Sequence, residues 1–154
     1  MNWTNMGALA LAGALGTGCF TSPARTSGPS QWDGVEMAIV GQYCEDAEEP
    51  DDRGTPVVEL RMKVAVTNRG SDRVAFAPER LRLVAKDNVR PTPVASDSPL
   101  EVKPGETKVA SVRFMNRGSL SCKDELKLDG SDSLLAGTRP VPLPPIAFVA
   151  RKQS

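Results

Sequence analysis

The stretch PVVELRMKVAVTN, residues 56–68, decides the fold of this chain. Apolar residues occupy every second position along it, and polar or small residues fill most of the positions between them. A period of two places successive side chains on opposite faces of an extended strand. The apolar face consists of Val58, Leu60, Met62, Val64 and Val66. We therefore predict a long antiparallel strand with one face in a core and the other in water.

Shorter segments with the same period lie on both sides of this strand. Upstream, one face of a predicted strand carries Val35, Met37, Ile39 and Tyr43. Downstream, the residues expected to face the core are Leu81, Leu83, Ala110, Val112 and Phe114. Further short strands are predicted around Val74 and Phe76, Leu100 and Val102, Leu126 and Leu128, and Ile146, Phe148 and Ala150. Short alternating runs of this kind, bounded by turn residues, are typical of strands.

Turn signals separate these segments. The tetrapeptides NRGS at 68–71 and KPGE at 103–106 each predict a tight turn, and we expect each to close a hairpin. Pro91 and Pro93 confine a strand near Val94 to a sheet edge, because proline cannot donate to a ladder. With about seven to nine short strands, the pattern predicts an all-β fold, an antiparallel β-sandwich over residues 34–154.

A second pattern stands at the beginning of the chain. An uncharged run of small and apolar residues, GALALAGALGTG at 7–18, leads directly into Cys19. It resembles the signal of bacterial lipoproteins, in which the segment before the cysteine is removed and the cysteine is acylated. We predict a signal peptide over residues 1–18 and lipidation of Cys19. A general secretory signal or a short buried helix is the alternative, since residues 1–6 carry no Lys or Arg.

The residues after Cys19 bear on location and reach. In Gram-negative lipoproteins an aspartate in the next position often retains the protein in the inner membrane, and here that position is Phe20. The resemblance therefore implies an outer-membrane lipoprotein on the periplasmic or surface face, attached to the membrane through Cys19. Residues 20–33, FTSPARTSGPSQWD, have no hydrophobic period, so residues 19–33 are predicted to be a lipidated flexible tether.

Composition narrows the class of partner. The chain has 19 basic and 19 acidic residues, none of them in residues 1–18, so a mature chain of 136 residues (154 minus 18) would have no net charge. A balanced surface exerts no general attraction on nucleic acid, and none is expected as a partner. There is no histidine, which removes the commonest general base and metal ligand.

Two cysteines remain once Cys19 is acylated. Cys44 and Cys122 are too few for a cysteine-rich zinc site and are the right number for one disulfide in an oxidising compartment. Two buried, inert thiols are the alternative. The six carboxylates of residues 45–53, EDAEEPDDR, lack the spacing and glycine of a twelve-residue calcium loop, so a solvated acidic loop is expected there. No metal, cofactor or catalytic residue is predicted.

Four segments resemble the small immunoglobulin-like domains of bacterial cell-envelope lipoproteins. They are VAVTNRG at 64–70, LRLVAKD at 81–87, LEVKPGET at 100–107 and VRF at 112–114. The resemblance implies an immunoglobulin-like sandwich and carries no chemistry, because members of such families differ in partner. A weaker resemblance, in size, anchor and fold class, is to the sandwich lipoprotein of type VI secretion machines. Pili and gliding-motility complexes use similar adaptors.

The function that these patterns favour is a non-enzymatic protein-interaction module whose partner is another cell-envelope protein. Edge strands and the loops at 45–53 and 87–99 would supply the binding surface. The alternatives are an outer-membrane adaptor subunit of an envelope machine, a carrier of a small ligand or metal, and an enzyme with paired carboxylates such as Glu59 and Asp124. Trp32 could be a binding anchor or could cap the sandwich edge. The side chains expected to point outward into solvent are Arg61, Lys63 and Arg113.

Overall fold

The structure of the chain is a computed structural model, and it describes residues 20–46, 57–117 and 120–152. These residues form thirteen strands and two short 3-10 turns, η1 and η2. Their bounds are β1 (Arg25–Thr26), β2 (Ser30–Trp32), β3 (Val35–Asp46), β4 (Val57–Asn68), β5 (Val74–Phe76), η1 (Pro78–Arg80), β6 (Arg82–Val84), η2 (Lys86–Asn88), β7 (Ala95–Ser96), β8 (Leu100–Val102), β9 (Thr107–Arg117), β10 (Glu125–Asp129), β11 (Leu134–Ala136), β12 (Arg139–Pro140) and β13 (Ile146–Val149).

The strands form three antiparallel sheets around one core. The five-stranded sheet has the order β2-β3-β4-β9-β7, and two four-stranded sheets have the orders β1-β13-β10-β6 and β12-β11-β5-β8. We call the last two the β10 sheet and the β5 sheet. Buried side chains of all three sheets belong to a single hydrophobic cluster, so the five-stranded sheet packs against the other two. The predicted all-β antiparallel sandwich is confirmed. The strands outnumber the expected seven to nine because several are only two or three residues long, too short to show a period.

The strand predicted from residues 56–68 is the centre of the fold. β4 pairs along its whole length with β9, from Val57 opposite Arg117 to Thr67 opposite Thr107, and on its other side with β3. The five residues predicted to face the core are all buried: Val58, Leu60, Met62, Val64 and Val66. Because a fully buried aliphatic side chain of this size contributes about 1.5–3 kcal/mol, this face is a principal source of stability.

A β-bulge in β3 changes the direction of the side chains that follow it. Ile39 lies opposite Val64 and Gly41 opposite Lys63, so Val40 is an extra residue without a partner in the register. One extra residue exchanges the two faces of a strand. The prediction that Tyr43 shares the core face of Val35 is therefore wrong, and Tyr43 lies on the outer face.

The two predicted hairpins are crossovers between layers. β4 does not return along itself, because β5 pairs with β8 and β11 in the β5 sheet. β8 likewise belongs to the β5 sheet, whereas β9, which follows the turn at 103–106, pairs with β4 and β7. The turn itself forms as predicted, with Gly105 at a φ of 82°. A turn signal fixes where the chain reverses and leaves open which sheet receives it.

Asn68, at the end of β4, joins both crossovers. Its side-chain amide is fully buried and donates to the backbone carbonyls of Asp72 at 2.6 Å and Val102 at 3.0 Å. The amide oxygen accepts from the backbone N–H of Gly70 at 3.0 Å. The backbone carbonyl of Asn68 accepts from Gly105 at 2.7 Å. One residue thus satisfies the backbone of both connections, and unsatisfied buried polar groups there would cost about 1–3 kcal/mol each.

Residues 20–33 lie against the sandwich, where the sequence predicts a flexible tether. Thr21 exchanges backbone hydrogen bonds with Gln42 at 2.8 and 2.9 Å, β1 pairs with β13, and β2 pairs with β3. The sandwich therefore includes residues before Gly34, the position where order was expected to begin. The segment has no hydrophobic period because it is held by backbone hydrogen bonds to existing sheet edges, and these leave no mark on side-chain pattern.

We predict that Asn68→Asp lowers the free energy of unfolding by about 3 kcal/mol, because the carboxylate keeps the acceptor and loses both donors in a buried site. Asn88→Asp is the matched control, since Asn88 is exposed, and it should change stability by less than about 0.5 kcal/mol. Urea unfolding followed by circular dichroism measures both. Equal stability of the two variants would contradict the role assigned to Asn68.

Candidate functional site

Cys44 and Cys122 form the disulfide that the sequence predicts. The two Cα atoms are 5.8 Å apart, and the cysteines are 78 positions apart in the sequence. Both are buried, Cys44 on β3 of the five-stranded sheet and Cys122 just before β10 in the opposite layer. The bridge therefore ties the two layers together. Its role is structural, since neither sulfur is accessible.

The predicted signal peptide, residues 1–18, and the predicted lipidation site Cys19 lie outside the described residues. Phe20, the first described residue, is packed on the outer face of the five-stranded sheet. Its Cβ atom is 3.1 Å from the point that a Cβ on Gly41 would occupy, so the missing side chain of Gly41 makes room for it. The ammonium nitrogen of Lys63 lies 4.6 Å from the centre of the Phe20 ring. Contacts of this kind are favourable by about 0.5–1 kcal/mol.

Charged side chains surround Phe20 on the same face. The carboxylate of Glu59 accepts a hydrogen bond from Nε of Arg61 at 2.5 Å, and Nε of Arg113 lies 3.9 Å from the same oxygen. The hydrogen bond to Glu59 raises the pKa of Arg61 above its usual value. Nε of Arg113 is buried and has no hydrogen-bond partner among the described residues. As predicted, these side chains and Lys63 point outward.

Tyr43 belongs to this outer face as a result of the bulge. Its hydroxyl donates to the carboxylate of Glu45 at 2.7 Å, and the guanidinium carbon of Arg61 is 5.7 Å from the ring centre. The hydrogen bond to Glu45 raises the pKa of Tyr43, with smaller contributions from burial and from the negative charge of Glu45. The phenol therefore keeps its proton to a higher pH than a free tyrosine does.

A shallow groove of about 230 Å³ runs across this face. Its lining includes Phe20, Arg61, Ser111 and Arg113, with the edge strand β7 alongside. Asp97, which follows β7, accepts the backbone N–H of Ser111 at 2.7 Å. We call this surface the Phe20 face. It combines an aromatic ring, guanidinium groups and carboxylates in one open depression.

The opposite layer carries an exposed apolar row on the outer face of the β5 sheet. Leu135 of β11 lies directly opposite Ala75 of β5 on one side and Pro140 of β12 on the other. All three are exposed, and Leu135 presents 39% of its surface. The Cβ atoms of directly opposed residues lie about 4.5–5.5 Å apart, so the three side chains form one continuous patch. The sequence does not predict this row, because no strands are expected from it at 134–140.

Another apolar depression, of about 450 Å³, lies where β7 begins. Its lining includes Val57, Pro91, Val94 and Met115. Val94 exposes 52% of its surface and Met115 exposes 39%. The edge strand predicted near Val94 is confirmed as β7, which among the described strands pairs with β9 alone. Residues 47–53 of the predicted acidic loop lie outside the described residues.

The structure does not bring together the two carboxylates considered for catalysis, Glu59 and Asp124. Glu59 is engaged by arginines on the Phe20 face, and the backbone N–H of Asp124 donates to Ser121 in the turn before β10. Trp32, the one tryptophan of the domain, is on the edge strand β2 and exposes 52% of its surface. Within the described ranges no group of three or more Cys, Asp or Glu residues could hold a metal ion, and no helix could cross a membrane.

Comparison with known proteins gives the fold alone. No protein-family model matches this chain, and no curated protein is significantly similar to it. A functionally unknown protein from Listeria monocytogenes EGD-e is similar in structure, with a TM-score of 0.54, 8% sequence identity and 88% of each chain covered. A protein described as ApaA from Bordetella pertussis has a TM-score of 0.38 and 14% identity, over 80% of this chain and 96% of that chain. The fold is therefore a β-rich one that resembles a solved structure, and the resemblance to envelope lipoproteins stays a prediction.

We predict that Cys122→Ala lowers the free energy of unfolding by about 2–5 kcal/mol, because it removes a cross-link that spans most of the domain. Urea unfolding with and without a reductant measures the effect. The reductant should destabilise the parent domain and leave the variant unchanged. A variant that stays sensitive to the reductant would contradict the pairing with Cys44.

The ionisation of Tyr43 can be followed selectively, because it is the only tyrosine in the chain. Since its folded pKa is raised, the stabilisation it gives is complete below the pKa of unfolded tyrosine and is lost as the pH rises through the folded value. We predict that Glu45→Gln lowers the midpoint of its alkaline absorbance titration. Glu36→Gln is the control, because Glu36 binds Arg69 instead. Equal midpoints in both variants would exclude Glu45 as the cause.

Proposed function

We propose that this chain is a lipid-anchored, non-enzymatic interaction module of the bacterial cell envelope. The lipoprotein-like sequence at 7–19 supports an export signal and an anchor on Cys19. The disulfide between Cys44 and Cys122 is in keeping with an oxidising compartment. No catalytic residue is assigned, and the partner is another protein of the envelope.

The observation that carries this proposal is the apolar row Ala75, Leu135 and Pro140. A partner that covers these three exposed apolar side chains removes their surface from water. Burial of apolar surface contributes about 25 cal/mol per Å². The row lies in the layer opposite the Phe20 face, so a partner can reach it without meeting the anchor.

Edge strands next to the row offer a second means of recognition. β8 and β12 are the outer strands of the β5 sheet, and each is paired on one side only in its sheet. An added strand from a partner could hydrogen-bond there while its side chains contact Leu135. This arrangement suits an outer-membrane adaptor subunit of an envelope machine, such as a pilus, a gliding-motility complex or a type VI secretion system. Such an adaptor subunit is our second candidate function, after a general interaction module.

Site-specific photocrosslinking in intact cells tests the proposal. A photoreactive residue at Leu135 should capture a recurrent protein partner, and the same residue at Lys127 should not. Lys127 is the matched control, because it is exposed on the β10 sheet of the same layer. Cys19→Ala should remove the fatty-acid label from the chain and, with it, most of the captured partner.

Two results would contradict the proposal in different ways. A chain that takes up no fatty acid, with or without Cys19, would contradict the anchor. A labelled chain that captures the same bulk proteins from Leu135 and Lys127 would contradict the partner surface and favour a screen for small ligands.

A further inference from the structure

We propose that the Phe20 face lies against the headgroups of the bilayer that holds the lipid on Cys19. The inference rests on the proposed function, because it requires the lipid. It goes beyond that function by fixing the orientation of the domain: the five-stranded sheet faces the membrane and the β5 sheet faces away from it.

The length of free chain between lipid and domain carries the first step. Cys19 is bonded directly to Phe20, and a trans peptide holds consecutive Cα atoms about 3.8 Å apart. Phe20 is packed on the Gly41 backbone, and Thr21 is hydrogen-bonded to Gln42. A free tether of fourteen residues could extend over roughly 45–50 Å. Because Phe20 is already docked, only about one residue separates the lipid on Cys19 from the surface of the domain.

The docked segment is held at several further points. The backbone N–H of Ala24 donates to Val149 at 2.9 Å, and that of Ser27 donates to Ala147 at 2.8 Å. The hydroxyl of Ser30 donates to the carbonyl of Pro144 at 2.5 Å. Because these bonds are distributed over β1 and β2, loss of one contact leaves the rest of the segment in place. The lipidated residue is therefore attached to the domain at Phe20, on the outer face of the five-stranded sheet.

The charges of the Phe20 face complement a zwitterionic headgroup layer. Guanidinium and ammonium groups bind phosphate oxygens, and the side chain of Arg113 is 43% exposed on this face. Lys63 and Arg61 lie beside it. The face also carries the carboxylates of Glu45, Glu59 and Asp97, which suit the ammonium groups of the same lipids. Its charges balance, so this proposal requires no excess of anionic lipid.

Apolar side chains on the same side fit the boundary between headgroups and acyl chains. Met115 lies opposite Glu59 in the register and so shares its outer face, and Val94 lines the neighbouring depression. Both are exposed. Exposed apolar surface is unfavourable in water and is accommodated where headgroups meet acyl chains.

Fluorescence quenching by headgroup-labelled lipid tests this orientation. The lipidated chain carries Trp32→Phe, so that a single introduced tryptophan reports position, and it is reconstituted in vesicles of phosphatidylethanolamine and phosphatidylcholine with nitroxide-labelled headgroups. Tyr43→Trp and, as a second probe, Ser96→Trp place the reporter on the Phe20 face. Leu135→Trp, in the opposite layer, is the matched control. We expect quenching several-fold stronger for the two probes of the Phe20 face than for the control.

A linker variant isolates the cause. A flexible Gly-Ser insertion of about ten residues between Cys19 and Phe20 keeps the lipid and restores the reach of a free tether. The difference in quenching between the two layers should then largely disappear. If the original chain already shows equal quenching from both layers, or stronger quenching from position 135, the orientation is wrong while the anchor stands. A chain that does not float with vesicles because it carries no lipid would overturn the proposed function and this inference together.

Discussion

The buried amide of Asn68 is the interaction on which the arrangement of the sheets depends. The chain changes layer twice near one end of the sandwich, first after β4 and again before β9. Backbone groups of each connection hydrogen-bond to Asn68, whose side chain is fully buried. Asn68 binds the first connection through Gly70 and Asp72 and the second through Val102 and Gly105. Because one residue binds both connections, it holds the two crossovers next to each other.

The sequence predicts the fold wherever burial follows strand period. The predictions of β4, of the inward residues of β9, and of strands at β10 and β13 were correct, since apolar residues recur at every second position in each. What could not be predicted depends on single residues or on backbone pairing. The extra residue Val40 places Tyr43 on the outer face, and nothing in the alternation of residues 35–46 marks a bulge there. Residues 20–33 are held by backbone hydrogen bonds, which depend little on the identity of the side chains. The two crossovers could not be predicted either, because a turn sequence does not determine which sheet the following strand joins.

The candidate sites divide in the same way. The pair Cys44 and Cys122 could be predicted by counting thiols, because so few were available. The apolar row needed the register of three short strands, and no local pattern marks residues that meet only across a sheet. The Phe20 face depends on the absence of a side chain at Gly41, which reads in the sequence as an ordinary strand glycine. Surfaces that combine residues from distant segments are therefore visible only in the fold.

The bulge at Val40 also bears on how the length of β3 can vary. Because Val40 is an extra residue, the residues on either side of it lie opposite consecutive positions of β4. Loss of Val40 would therefore leave a regular strand in the same register, with Cys44 still inward beside Cys122 and Tyr43 still outward. A relative that is one residue shorter here can keep both faces and lose the bulge alone, whereas a relative that is one residue longer needs a second irregularity.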